Sequence, residues 1–142
     1  MSGPEIISSE AFPLKPHNSP AAKVPGLIFC SGQIGNGEIE AATLESLTKL
    51  KELLELGGSS LEQIAKVNIF MKDINQFSAM NEVFSKVRTS FSCIIPTRCK
   101  QETDSRSKQF LPDPKPARTC IQAGKLPGGE TSTIEIECIA RA

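Results

Sequence analysis

The sequence predicts an α+β layer in which two helices pack on one face of a mixed β-sheet. Three observations carry that expectation. Apolar residues recur at helical spacing from Ile39 to Leu56 and again after Phe77. The segments Ile64–Met71 and 133–140 alternate apolar and polar residues. The order along the chain is strands, helix, strand, helix, two strands.

Each element has its own signal. The first 26 residues hold Pro4, Pro13, Pro16, Pro20 and Pro25, so they read as short extended pieces and turns. Residues 26–32 (GLIFCSG) form an apolar run bounded by glycines, the pattern of a buried strand, and 33–37 read as a turn through two glycines. Leu44, Leu47, Leu50 and Leu54 give the first helix its stripe, with Gly57-Gly58 as its C-terminal stop. In the next strand Val67, Ile69 and Met71 share one face. Asp73 with Gln76 three residues on reads as a capping box for a second helix, whose stripe is Phe77, Met80, Val83, Phe84 and Val87. Two late strands follow at 119–123 and 133–140, the second placing Ile134, Ile136, Cys138 and Ala140 opposite Glu135, Glu137 and Ile139. Residues 87–116 show neither period, and a structureless loop of that length is out of keeping with so small a domain.

Composition narrows the function classes. A chain of 142 residues holds one domain with a modest core. Sixteen basic and sixteen acidic side chains cancel, so no global field draws the molecule to nucleic acid or an anionic membrane. There is no apolar run near ~18 residues, hence no expected membrane span. The N-terminus MSGPEIISSE lacks the basic and apolar regions of a secretory signal, and no arginine-rich presequence decides between cytosol and mitochondrion. Cys30, Cys93, Cys99, Cys120 and Cys138 are odd in number and scattered, which fits free thiols in a reducing compartment. With one histidine (His17) and no CxxC, no metal site is expected.

The residues that can carry chemistry lie late in the chain. Arg118 follows Pro116-Ala117 at the start of a strand, where its guanidinium can clamp a carboxylate bidentately; pairing with an acidic neighbour such as Glu137 is the plainer alternative. Glu135 faces away from Ile134 and Ile136. Alone it is an ordinary solvated strand residue, but near Arg118 it can orient a water beside an electrophilic imine. Cys120 lies two residues from Arg118 and so shares its face, as a pocket thiol or a packed core one. Ser31, in the run C-S-G-Q, offers a hydroxyl at a strand end.

The string PARTC at 116–120, followed by LP at 126–127 and IEIE at 134–137, closely resembles the C-terminal signature of the Rid (YjgF-type) family of imine deaminases. SGQI at 31–34, KVNIFMKDINQF at 66–77 and AMNEVF at 79–84 are also similar to members, fungal ones above all. The resemblance implies a chorismate-mutase-like α+β fold and homotrimers with a cleft at each subunit interface. It implies hydrolysis of reactive 2-imino and enamine acids, such as 2-aminoacrylate and 2-iminobutanoate, to 2-oxo acids and ammonia. By the same resemblance, Arg118 would hold the substrate carboxylate and Glu135 would position the attacking water. Ser31 and Cys120 would line the cleft, and no metal or organic cofactor would be needed. An already electrophilic imine asks only for charge anchoring and water placement. Some relatives are described as ribonucleases or translation inhibitors; a chain with no Trp and no Tyr to stack bases argues against that here. A non-catalytic ligand-binding trimer is the third class.

Three departures from the family pattern stand out. Members carry a Gly-Pro-Tyr near the N-terminus, whereas this chain has no tyrosine and offers Ser19-Pro20-Ala21 as its nearest match. The turn after SGQI is shorter than usual. An extra block at 87–108 separates the second helix from PARTC; deleting it leaves VFSK–QFLPDPKPARTC, an uninterrupted family sequence. We hypothesise that this block is a translated, unspliced intron, since its opening Val-Arg can be encoded by GTACGT and its closing Lys by AAG. A genuine mobile insertion is the rival reading, and finding the block in every messenger RNA would decide for it.

Overall fold

The computed structural model describes residues 3–90 and 115–142, with side chains of 87–90 left aside. The extra block at 87–108 therefore lies outside the described residues except for the end of a helix backbone. The strands are β1 (Glu5–Ile7), β2 (Ala21–Val24), β3 (Leu27–Asn36), β4 (Ile64–Met71), β5 (Ala117–Gln122) and β6 (Ser132–Arg141); the helices are α1 (Ile39–Leu56) and α2 (Phe77–Ser90). One sheet holds all six strands in the order β1-β2-β3-β6-β4-β5. Pairing is antiparallel except between β4 and β5, which run parallel. A parallel pair needs a crossover, and α2 lies on that crossover.

The core lies between the sheet and the helices. Ile28, Cys30, Val67, Ile69, Met71, Ile134, Ile136, Cys138 and Ala140 turn one face inward. Against it pack Leu50, Leu53 and Leu54 of α1 and Met80 and Phe84 of α2. Each of those fully buried leucines contributes about 1.5–3 kcal/mol of transfer free energy. The α+β expectation, with both helices on one face, agrees with this arrangement.

Particular elements differ from the sequence reading. The bounds of α1 and β4 match it, but Leu44 is 46% exposed. The buried stripe of α1 is centred on Ile39, Thr43, Leu50 and Leu54, and Leu44 falls outside it. β3 does not stop at Gly32. It runs to Asn36 with bulges between Cys30 and Gln33 and between Gly35 and Asn36, so the expected turn at 33–37 is mostly strand. α1 sits close over this strand: Ser46 Oγ donates to Gln33 O, Lys49 Nζ donates to Ile34 O, and a Cβ on Gly35 would collide with the Ala42 backbone. Asp73 does cap a turn, accepting from the Asn75 amide, but the turn is a short 3-10 one at Ile74–Gln76 that leads into α2.

Candidate functional site

β5 is the edge strand beyond β4, and its register fixes where Arg118 points. Arg118 lies across from Val67, whose side chain is in the core, so Arg118 is on the helix face. There Nη1 donates to Asn81 Oδ1 of α2 at 2.6 Å. The guanidinium carbon stands 5.5 Å from the Phe77 ring centre and 5.2 Å from that of Phe84. The expected alternative, a pair with Glu137, is not formed: Glu137 accepts from Asn68 Nδ2 on the other face. Among the described residues no carboxylate forms a salt bridge with Arg118. Cys120 lies across from Ile69 on the same face as Arg118, half-buried against the core. Burial pushes its thiol up, and Arg118 offsets part of that shift.

Glu135 belongs to the opposite face. On β6 it pairs with Ile34 of β3 and Phe70 of β4, while its neighbours Ile134 and Ile136 are in the core. Its carboxyl is half-buried and titrates above the usual carboxylate range, first because burial disfavours the charge and second because Glu137 stands nearby. The β3 bulge sets Gly32 directly against it. A Cβ at Gly32 would overlap the Glu135 carboxylate, so only glycine leaves room for the side chain in this position.

Ser31 precedes that glycine. Its Oγ donates to Ser19 O at 2.7 Å and its amide donates to Pro20 O at 2.9 Å, so the hydroxyl proton is committed and its oxygen remains an acceptor. Ser31 lines two hollows. One of about 400 Å³ on the open face is also lined by Asn18, Phe29, Lys66, Asn68 and Glu137. The other, of about 210 Å³, is also lined by Phe12, Lys15, Asn18, Gly32 and Gln33. Neither Arg118 nor Glu135 lines either hollow.

The expectation that Arg118 and Glu135 approach each other from two facing strands is therefore corrected for a single chain. β4 lies between β5 and β6, with Val67 opposite Arg118 and Phe70 opposite Glu135. Val67 and Phe70 are three residues apart, an odd number, so the two charged groups leave the sheet on opposite sides. One face near the edge carries a cation with a thiol; the other carries a carboxylate with a serine and a glycine. Sequence reading missed Asn81 and Gly32. Asn81 had a legible signal, being the polar residue at helical spacing between Phe77 and Phe84.

Among the described residues no three His, Cys, Asp or Glu side chains gather to hold a metal ion, and no helix is long and apolar enough to cross a membrane.

Comparison with known proteins places this geometry in a family. The family model described as Endoribonuclease L-PSP matches residues 8–142. The mitochondrial protein mmf2 of Schizosaccharomyces pombe is 43% identical, over 99% of this chain and 98% of its own. A protein of Dermatophagoides farinae named 2-iminobutanoate/2-iminopropanoate deaminase is 29% identical, over 98% of this chain and 97% of its own. The crystal structure of yeast YEO7 superposes with a TM-score of 0.73 at 30% identity, covering 97% of this chain and 98% of that one. The chain belongs to the Rid family, the YjgF-type proteins of the Endoribonuclease L-PSP model.

Proposed function

We propose that this protein hydrolyses small 2-imino acids to 2-oxo acids and ammonia, at a site assembled from two copies of the chain. The observation that carries this reading is the separation of Arg118 from Glu135. The two leave opposite faces of the sheet, so within one chain neither reaches the other. Among the described residues Arg118 pairs with no acid, and β5, which carries it, is the last strand of the sheet they form. Glu135 is a carboxyl whose raised pKa brings it closer to neutrality, where a general acid–base works best. The deaminase named in Dermatophagoides farinae supports the reaction class. A closed ring of three copies, as the family resemblance implies, would repeat the same contact at each interface.

In the reaction, Arg118 of one copy holds the substrate carboxylate through two parallel N–H···O bonds. Glu135 of the next copy takes a proton from a water, whose oxygen attacks the imine carbon. With the imine protonated, Glu135 returns that proton to the nitrogen of the neutral tetrahedral adduct, the C–N bond breaks to release ammonia, and the adduct's hydroxyl proton passes to Glu135 and on to solvent as the C=O of the 2-oxo acid forms. Cys120 and Ser31 flank the carboxylate and water ends of the site. Substrate and water supply every atom of the products, so this scheme draws on no cofactor.

The natural supply of such substrates is a pyridoxal-phosphate dehydratase acting on a hydroxy amino acid. The likeness to a mitochondrial relative favours the mitochondrion beside the cytosol as its place of action. The test is a coupled assay in which purified protein is added to a threonine dehydratase. Faster 2-oxobutanoate formation than the spontaneous rate supports the assignment. A rate equal to the spontaneous one, with 2-oxobutanoate still bound, supports the non-catalytic trimer instead.

A further inference from the structure

We infer that Cys30 and Cys138 are a redox-modification site, at which a peroxide closes the two thiols into a disulfide that staples β3 to β6. This is independent of the imine chemistry proposed above. The two cysteines stand opposite each other in the antiparallel register of β3 and β6. At the end of that ladder the Ala142 amide donates to Gly26 O, so Gly26 and Ala142 are a bonded pair. Bonded pairs recur every second residue, which makes Cys30 and Cys138 another. Ser31, one residue on, accordingly donates its amide the other way, to Pro20 O. Residues of a bonded pair hold their Cα atoms about 5.5 Å apart, inside the span that disulfides bridge. Both side chains turn into the core, at 5% and 3% exposure, and a thiol–thiol hydrogen bond joins them. That bond, and then burial, push the Cys138 thiol up, so Cys138 keeps its proton and Cys30 is the sulfur that reacts first.

No other described cysteine competes for either partner. Cys120 is on β5, and β4 separates β5 from β6. Two strand spacings, about 9.5 Å, are too far for a disulfide. The oxidant must also be small. Neither sulfur is exposed enough to meet a bulky disulfide, whereas both cysteines border the hollow of about 400 Å³, which brings small molecules up to them. Cys30, as thiolate, attacks one oxygen of the peroxide; the O–O bond breaks, hydroxide leaves and takes up the proton that Cys30 released, and Cys30 becomes a sulfenic acid. The Cys138 sulfur then attacks the Cys30 sulfur, the S–O bond breaks, and the departing oxygen takes the Cys138 proton to leave as water. Two thiols and one hydrogen peroxide give one disulfide and two waters, with two electrons passing from the sulfurs to the peroxide. The loop so closed holds both helices with β4 and β5, so the bond restricts much of the unfolded chain and stabilises the fold.

The test treats the full-length native protein with hydrogen peroxide at neutral pH and quenches it with catalase. The protein is then unfolded, its remaining thiols are blocked with N-ethylmaleimide, and it is digested with trypsin. Peptides 24–49 and 126–141 carry Cys30 and Cys138 as their only cysteines. They should appear joined, two hydrogens lighter than their sum, and should separate on treatment with dithiothreitol. Oxidised wild-type protein should melt about 5 °C or more above the reduced form. The same treatment of Cys138→Ala should give no linked Cys30 peptide and no gain in Tm, and the wild-type peptide result stands whether or not that variant folds. A folded wild-type protein in which both cysteines still take the maleimide after treatment, or carry sulfinic acid with no link between them, overturns the inference and leaves the pair as core packing.

Discussion

Arg118 and Glu135 lie on opposite faces of one sheet, each in register with a different residue of the same intervening strand, Val67 and Phe70 of β4. Nothing a single chain can do with a side-chain rotation joins them. In the proposed function their connection runs through a second copy that presents its Glu135-bearing face to the edge bearing Arg118.

Removing the clamp tests the carboxylate end. Arg118→Ala should lower kcat/KM by roughly 10²–10³-fold in the coupled assay, because it deletes a charge-assisted bidentate contact. Arg118 is exposed and its contacts to α2 are one hydrogen bond and two ring faces, so Tm should fall only modestly. Undiminished kcat/KM in this variant would remove the carboxylate clamp from the mechanism.

Glu135→Gln separates catalysis from stability. Its kcat should fall by about 10²–10⁴-fold, the usual scale for losing a general acid–base. Its stability should move the other way. A carboxyl whose folded pKa is raised stabilises the fold only while protonated, and that contribution is lost as pH rises through the folded pKa. At pH 7 the wild type therefore bears the cost of a half-buried charge next to Glu137, and Gln does not. The variant should show a higher Tm at pH 7, and the gap should close as pH falls below the ordinary carboxylate value of 4.5. A Tm advantage that persists unchanged at pH 3 would refute this account of Glu135.

Two glycines of β3 should respond differently to the same substitution. At Gly32 the atoms nearest the added methyl are those of the Glu135 side chain from Cγ outward, which can swing away, so Gly32→Ala should lose less stability while displacing the carboxylate and lowering kcat. At Gly35 it meets the Ala42 backbone of α1, which cannot step aside, so Gly35→Ala should cost roughly 3 kcal/mol or more. Chemical denaturation beside steady-state kinetics on both variants checks the contrast. Equal stability losses would show that the two close approaches are not of different kinds.

Much of this was legible in the residues. The leucine period of α1, the alternation of β4 and β6, and the shared face of Arg118 and Cys120 are local patterns, and local patterns survive in one dimension. The order of strands is not local. That β4 inserts between β5 and β6, and in which register, depends on pairings far apart in sequence, and order and register together decide that Arg118 and Glu135 diverge. Gly32 reads as a strand boundary and Gly35 as part of a turn because glycine favours both, yet each serves here to admit something close: a carboxylate in one case, a helix backbone in the other. Leu44 shows the limit of counting threes and fours, since its place on the helix circle falls off the stripe that Leu50 and Leu54 define.

The shared site has its most direct test in subunit mixing. Arg118→Ala and Glu135→Gln chains carrying different affinity tags are co-expressed, and mixed oligomers are isolated by purifying on both tags in turn. In a ring of three, each mixed oligomer contains one interface that pairs an intact Arg118 with an intact Glu135, so activity should return to roughly one third of wild type. Mixed oligomers that form and remain as inactive as their parents would contradict a site built across two chains.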